Sequence, residues 1–211
     1  MHRLSSIFLI IVMSAAAANA QGHASTTCPK DLSWMLDYAA PNKKSNDDNE
    51  KLLNLPCFKD AIRKAFPAKQ SMLGNDFPLS KAILNYVAVY GEGPQSFDNR
   101  YITIQGCYPH QCPSVGMIWI DTKRPGALIF AGSDEINPLK SPEDFHLWMV
   151  TTLPDLNQRQ PLDLPEPFIR SLAAVFATEH FVSATVVHRD GRMENLMPET
   201  LHLNTSTPVA K

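Results

Sequence analysis

The sequence is poor in several features that mark particular classes of protein. It has only 9 glycines in 211 residues, and its 19 Lys and Arg residues against 21 Asp and Glu residues give a formal net charge of −2. This balance, with no cluster of Lys and Arg, argues against a nucleic-acid-binding protein, which needs a basic surface for phosphates. Few glycines and 17 prolines favour loops of fixed conformation over repeating structure.

Motifs of the common enzyme classes are also lacking. The sequence has no G-x-S-x-G nucleophile elbow, no Walker phosphate loop, no dinucleotide-binding G-x-G-x-x-G and no H-E-x-x-H zinc helix. The spacing between Cys107 and Cys112 is too wide for a C-x-x-C redox pair. We therefore expect a protein that is not an enzyme and that holds no metal or cofactor.

No hydrophobic run reaches the length of about 20 residues that a transmembrane helix needs. The apolar stretch at residues 7–12 follows the basic Arg3 and leads to Ala18-Asn19-Ala20. These are the basic, apolar and small-residue parts of a secretory signal peptide. We therefore expect residues 1–20 to be a signal peptide cleaved after Ala20, and the mature protein to be periplasmic or secreted without a membrane span.

The chain has four cysteines, and an even number in an exported protein predicts two disulfides. They are Cys28, Cys57, Cys107 and Cys112. Three pairings are formally available, but the short distance between Cys107 and Cys112 favours a local bridge, which leaves Cys28 with Cys57. A bridge over so few residues adds about 2 kcal/mol. Its expected role is therefore to fix the conformation of the residues between its ends.

Hydrophobic periodicity predicts a single α+β domain over residues 21–190, built from an antiparallel β-sheet with packed helices. The predicted helices cover residues 31–38, 56–66 and 168–180, and the predicted strands cover residues 82–90, 100–107, 115–121, 127–131, 145–152 and 181–188. Residues 41–50 are charged and polar, which predicts a solvated connector. The polar residues 191–211 are predicted to be a flexible tail.

One segment stands out, the sequence CYPHQC at residues 107–112, because it directly follows a predicted strand. A disulfide-closed loop at this place is expected to protrude from the end of the sheet. Pro109 fixes φ just before His110, so the loop would present an imidazole without the ordering cost of a flexible loop. The alternative is a structural disulfide whose histidine only faces solvent.

This segment resembles the Cys-Lys-Pro-His-Asp-Cys loop of the Ivy-type inhibitors of vertebrate lysozyme, and the resemblance covers about residues 55–131. It implies that the loop enters the cleft of the target enzyme, where His110 lies between two catalytic carboxylates. Cys107 and Cys112 would close the loop and Pro109 would shape it. Tyr108 and Gln111 stand where the family has Lys and Asp, so both loop charges are lost. The four residues expected to contact the target are Tyr108, Pro109, His110 and Gln111.

The resemblance implies a periplasmic or secreted inhibitor of peptidoglycan-cleaving glycosidases. The partner would be a lysozyme-like peptidoglycan hydrolase: a c-type lysozyme, a lytic transglycosylase of the cell itself, or the muramidase of a rival, which would make this an immunity protein. Two alternatives stay open. One is a secreted enzyme with a dispersed site, and the other is a periplasmic structural or adaptor protein in which the loop is only a staple. The sequence leaves self-association open.

Overall fold

A computed structural model describes residues 28–39, 46–70, 77–89, 91–137, 139, 141–153 and 164–201 of the chain. The predicted signal peptide, residues 1–20, and the last part of the predicted tail, residues 202–211, lie outside the described residues. None of the helices described is long and apolar enough to cross a membrane.

Four α-helices and nine strands make up the described part of the chain. The helices are α1 (Asn46–Asn54), α2 (Pro56–Ala65), α3 (Leu79–Tyr86) and α4 (Glu166–Val175). The strands are β1 (Lys69–Gln70), β2 (Phe77–Pro78), β3 (Gln95–Phe97), β4 (Tyr101–Tyr108), β5 (Gln111–Asp121), β6 (Ala127–Asn137), β7 (Ser141–Thr151), β8 (His180–Val187) and β9 (Met193–Leu196). Short 3-10 helices cover Ser33–Asp37 and Pro198–Leu201.

Seven strands form one sheet in the order β3-β4-β5-β6-β7-β8-β9. Neighbouring strands are antiparallel, except that β7 and β8 are parallel. A parallel pair needs a crossover connection, and α4 lies in the segment that joins these two strands. The predicted α+β class with a mostly antiparallel sheet is confirmed.

Each face of this sheet carries its own hydrophobic core, because side chains alternate between the faces along every strand. On β4, Ile102 and Ile104 pack against α2 and α3 in the first core. In the second core, Trp119 of β5 packs against Phe168 of α4. The sheet therefore lies between two layers of helix.

Both predicted disulfides are present. Cys28 is bridged to Cys57 with their Cα atoms 5.2 Å apart, and Cys107 is bridged to Cys112 with a Cα separation of 4.9 Å. The first bridge ties the segment before the 3-10 helix at Ser33–Asp37 to the start of α2. The second closes the connection between β4 and β5.

The predicted strand at residues 82–90 is wrong, because this segment belongs largely to helix α3. Its buried residues recur at helical spacing, as Leu79, Ile83 and Tyr86 show. The β-branched and aromatic residues that favour a strand belong partly to the helix, as Ile83 and Tyr86 do, and partly to the residues after it, as Val87 and Val89 do. The period of the buried positions therefore indicates the helix correctly, whereas the composition of the segment favours a strand.

Helix α1 begins inside the stretch 41–50, for which a solvated connector was predicted. Asn49 of this helix is only 4% exposed, and its Nδ2 donates a hydrogen bond to the carbonyl oxygen of Gln105 at 3.3 Å. The edge strand β3 pairs only with the first residues of β4. The side chain of Asn49 therefore satisfies a carbonyl group that β3 does not reach.

Part of the predicted flexible tail, residues 191–211, lies inside the fold. Strand β9 pairs with β8, and Leu201 is buried in the second core. An edge strand exposes much of its surface, so β9 can be polar and still belong to the sheet. The predicted helix 168–180 likewise ends early, since His180 is the first residue of β8.

Helix α3 approaches the sheet closely because three glycines lie side by side beneath its end. Gly106 pairs with Gly116, and Gly116 pairs with Gly132, across β4, β5 and β6. A Cβ atom at residue 116 would lie 2.7 Å from the carbonyl oxygen of Tyr86 and 2.9 Å from its carbonyl carbon. Only glycine leaves room for this approach, which places Tyr86 beside the connection between β4 and β5.

Candidate functional site

The connection between β4 and β5 is a tight hairpin whose end we call the hairpin tip, residues Tyr108, Pro109, His110 and Gln111. Tyr108 pairs with Gln111, so Pro109 and His110 are the two turn residues. His110 has φ of 65°. Proline at the first turn position and a positive φ at the second are the pattern of a type II turn, in which glycine or asparagine is usual at the second position. A histidine held there costs some backbone strain, a feature that clusters at ligand-binding sites.

The disulfide lies directly beneath this turn. Strand pairing continues beyond Cys107, since it resumes at Tyr108 after an irregularity next to Cys107. Cys107 pairs with Val115, so residues 112–114 form an extra bulge on the β5 side. The predicted six-residue loop is thus a two-residue turn on a bulge that the disulfide closes.

The two cysteines have different surroundings. Cys107 is 5% exposed, and its backbone N–H and C=O both pair with Val89, whereas Cys112 is exposed. The bridge therefore attaches the bulged strand to a fixed point of the core. Together with the fixed φ of Pro109, this restricts the conformations that His110 can adopt.

His110 is exposed, and it makes no hydrogen bond or ion pair with any described residue. Both of its ring nitrogens are therefore available to another molecule. Pro109 is half-buried and Gln111 is exposed. The hairpin tip thus offers an imidazole and a neighbouring primary amide to solvent.

Tyr108 faces its own protein, in contrast with the other predicted contact residues. Its ring packs edge-on against Tyr86 with the centroids 5.8 Å apart, and its hydroxyl accepts a hydrogen bond from Asn85 Nδ2 at 3.5 Å. Tyr108 is half-buried. It therefore anchors the tip on helix α3, and only part of its surface remains for a partner.

A half-buried polar cluster, whose members are distant in the sequence, lies next to this anchor. The carboxylate of Asp134 accepts a hydrogen bond from the Tyr86 hydroxyl at 2.5 Å and another from the Trp148 indole N–H at 2.9 Å. Burial, together with the charge of Asp134, raises the pKa of Tyr86, so its hydroxyl remains a donor. This cluster holds Tyr86, and through it Tyr108, in one position.

His146 and Glu179 extend the cluster to both sides of the sheet. The Nδ1 atom of His146 lies 2.7 Å from Ser183 Oγ, and burial lowers the pKa of this imidazole, while the charge of Asp134 opposes the shift. Burial raises the pKa of Glu179 to about 7; the charge of Asp134 acts in the same direction and a hydrogen bond with Ser133 opposes it. One carboxylate oxygen of Glu179 is buried without a hydrogen-bond partner.

The raised pKa of Glu179 predicts a dependence of stability on pH. From the ordinary value of 4.5 up to about 7, the folded state binds more protons than the unfolded state, so the free energy of unfolding falls as pH rises through this range. We expect Glu179→Gln to remove this fall. The free energy of unfolding of the variant should therefore rise relative to that of the wild type between about pH 5 and about pH 8. Urea unfolding of both proteins at each pH measures the difference.

The wild type and the Glu179→Gln variant must be compared at the same pH, because titration of His146 changes the free energy of unfolding in the opposite direction. Its lowered pKa means that stability is lost as pH falls below its ordinary value of 6.5. This loss is common to the wild type and the Glu179→Gln variant. A stability difference that does not change with pH would contradict the assignment of a proton to Glu179.

The disulfide of the hairpin allows a second prediction. Replacing Cys107 and Cys112 together by Ser should lower the free energy of unfolding by about 2 kcal/mol or less and weaken any binding by the hairpin tip, because the bulge loses its fixed point. The matched control replaces Cys28 and Cys57 by Ser. That bridge spans 29 positions rather than 5, so its loss should cost about 3–4 kcal/mol and leave the tip unchanged. Equal effects of the two changes on binding would be inconsistent with a local role for the hairpin disulfide.

The cluster and the tip offer different chemistry. The carboxylate of Asp134 is engaged by donors inside the protein, whereas the imidazole of His110 is free in solvent. Among the described residues, no group of three or more His, Cys, Asp and Glu side chains could hold a metal ion. The arrangement thus consists of a solvated imidazole on a rigid support, which suits recognition of carboxylates in another molecule.

Comparisons of the chain with protein-family models, with curated proteins and with solved structures find no match. The function is therefore inferred from the residues of this chain.

Proposed function

We propose that the protein is a periplasmic or secreted inhibitor of a peptidoglycan-cleaving glycosidase, and that the hairpin tip enters the active-site cleft of that enzyme. The observation that carries this proposal is the state of His110. It is exposed and without a partner among the described residues, yet the turn, the disulfide and the anchor at Tyr108 hold it in place.

The chemistry of the target fits an imidazole. Glycosidases of this class hold two carboxyl groups about 5–9.5 Å apart, one of which acts as general acid. A protonated imidazole has two N–H donors on opposite sides of its ring. One donor to each carboxylate would form two charge-assisted hydrogen bonds and would occupy both catalytic groups at once.

The rigidity of the hairpin tip supports the same function. A loop that is already ordered loses little conformational entropy on binding, so more of its interaction energy appears as affinity. The conformation of the tip is limited by Pro109, by the disulfide and by the contact between Tyr108 and Tyr86. Such a tip can compete with a flexible polysaccharide for a cleft.

Two disulfides also support a location outside the cytosol, because disulfides persist in oxidising compartments. This agrees with the predicted signal peptide and with a partner that acts on the cell wall. The tip carries no charged residue beside His110, since Tyr108 and Gln111 are neutral. Gln111, which is exposed, would contact the target by neutral hydrogen bonds, so the target can differ from vertebrate lysozyme in the charge around its cleft.

The test is a turbidity assay of cell-wall lysis, in which the mature, oxidised protein is titrated against a c-type lysozyme and against a lytic transglycosylase. We expect lysis by at least one of them to stop as the protein approaches a molar excess. A small soluble oligosaccharide substrate used in parallel shows whether the cleft itself is blocked. Inhibition of neither enzyme would overturn the proposal, and release of cell-wall fragments by the protein alone would favour the alternative of a secreted enzyme.

The alternative of a structural protein has one observation in its favour, which is the tight connection of the hairpin to its own core. Cys107 is buried and Tyr108 contacts helix α3, as a staple would require. The two functions differ at His110, which makes no such contact. A purely structural role of the hairpin does not require the His110 side chain. A variant that lacks this side chain therefore distinguishes the two functions.

A further inference from the structure

The hairpin tip is small for a specific protein interface. Such interfaces bury about 800 Å² on each partner and involve about 20–30 residues on each side, whereas the tip has four residues, of which Tyr108 is half-buried in its own protein. An inhibitor that binds through this tip therefore needs further contacts in its surroundings.

A second hairpin lies beside the β4–β5 hairpin. Because the strands β4 to β7 are consecutive and antiparallel, the β4–β5 and β6–β7 connections lie at the same end of the sheet, and the β5–β6 connection lies at the opposite end. β5 and β6 are hydrogen-bonded neighbours, and Gly116 pairs with Gly132. The β6–β7 hairpin extends further than the tip, because β6 continues for five positions from Gly132 to Asn137. On β4 only two positions separate Gly106 from Tyr108, the last paired residue before the turn.

This end of the sheet also exposes apolar side chains. The large hydrophobic residues described as exposed are Phe97, Ile136, Leu139, Val182, Met193 and Met197. Four of them lie toward this end: Ile136 at 49%, Leu139 at 96%, Val182 at 43% and Met197 at 67% exposed. Turn positions usually carry small or polar residues. A leucine almost completely in solvent at a turn therefore has no role in folding that the structure shows.

We propose that the β6–β7 hairpin, through Leu139 and Ile136, is a second contact with the same glycosidase, packing on apolar surface beside the cleft that His110 enters. The inference rests on the proposed function. An apolar centre with a polar border is the usual composition of an interface. The border is present here, because the polar pair His180 Nδ1 and Asp144 Oδ1, 3.3 Å apart, lies next to Val182.

The position of Leu139 favours the glycosidase over a second copy of this chain. A second copy seated on the β6–β7 hairpin would stand next to the hairpin tip and would hinder its entry into a cleft. The same enzyme, by contrast, can contact both hairpins, because they are neighbours at the same end of the sheet. Both contacts would then be made in one binding event.

The test compares Leu139→Ser and Ile136→Thr with Met193→Ser in the full mature protein. Met193 is a matched control because its exposure, 46%, is close to that of Ile136, and it pairs with Val187 at the opposite end of the sheet. We expect Leu139→Ser to raise the inhibition constant about tenfold, Ile136→Thr to raise it less, and Met193→Ser to leave it unchanged. Thermal unfolding should show the same midpoint for all proteins, since none of these side chains is buried.

The outcomes distinguish this inference from the proposed function. If the wild type inhibits and Leu139→Ser inhibits equally well, the second contact is wrong and the proposed function stands. If the wild type inhibits neither lysozyme nor transglycosylase, both fail. Size-exclusion chromatography gives the third outcome: if Leu139→Ser converts a dimer to a monomer without a change in inhibition, a second copy covers this hairpin and the inference is overturned.

Discussion

Removal of the His110 side chain should abolish inhibition without unfolding the protein. We expect His110→Ala to raise the inhibition constant about 30-fold or more, because loss of one partner of a buried, hydrogen-bonded charge pair costs about 2–5 kcal/mol. The turbidity assay measures this loss. The fold should persist, since His110 is exposed and makes no hydrogen bond or ion pair with any described residue.

The backbone at His110 requires a companion variant. Alanine is strained at a φ of 65°, so a change in the turn would contribute to the effect of His110→Ala. Glycine adopts a positive φ without strain, and His110→Gly therefore removes the imidazole while keeping the turn. The two variants should lose inhibition equally, and the exposed neighbour Gln111→Ala should lose much less. Full inhibition by His110→Gly would show that the histidine takes no part in inhibition. The alternative of a structural protein, in which the disulfide only stabilises the hairpin, would then be favoured.

A methyl group at residue 116 should be among the most damaging small changes in the protein. In Gly116→Ala the new Cβ would meet the Tyr86 backbone at 2.7–2.9 Å, and backbone atoms cannot turn away as a side chain can. Helix α3 must then move off the sheet. We expect the free energy of unfolding to fall by about 3 kcal/mol, the upper part of the range for overpacked cores. Urea unfolding measures the change.

The same variant should also weaken inhibition below its unfolding transition. Tyr86 moves with α3, and Tyr108 rests on Tyr86, so the hairpin tip loses its anchor. Gly126→Ala is the control: Gly126 has φ of 69° and no atom would lie within 4 Å of its new Cβ. It should cost about 1–2 kcal/mol through the backbone alone and leave inhibition intact. A smaller loss of stability in Gly116→Ala than in Gly126→Ala would mean that helix α3 can move away from the sheet at little energetic cost.

The hairpin tip could be predicted from the sequence because everything that defines it is local. Two strands of alternating character, a proline and two cysteines five positions apart all lie within one short segment of the chain. The disulfide and the surrounding hairpin are confirmed by the structure. The two-residue turn and its bulge cannot be predicted from the sequence, because the register of strand pairing depends on small irregularities that no sequence motif marks.

The half-buried polar cluster could not be predicted, because its members are distant in the sequence. Asp134, Trp148 and Glu179 meet only through the order of β6, β7 and β8, with Tyr86 arriving from a helix on one face. This helix was itself predicted as a strand. No spacing relates these residues, and a single aspartate on a strand is usually a solvated side chain.

The two disulfides are placed so that opening the hairpin bridge affects the hairpin tip more than the rest of the fold. Each bridge joins residues within one local unit, either the first helical segment or the hairpin, and neither links one strand of the sheet to a distant one. A mild reductant that opens the hairpin bridge would therefore release the bulge beneath His110 while the seven-stranded sheet keeps its hydrogen bonds. Under the proposed function, thiol concentration would then change inhibitory potency through the hairpin bridge, and opening of the Cys28–Cys57 bridge would cost about a further 3–4 kcal/mol of stability.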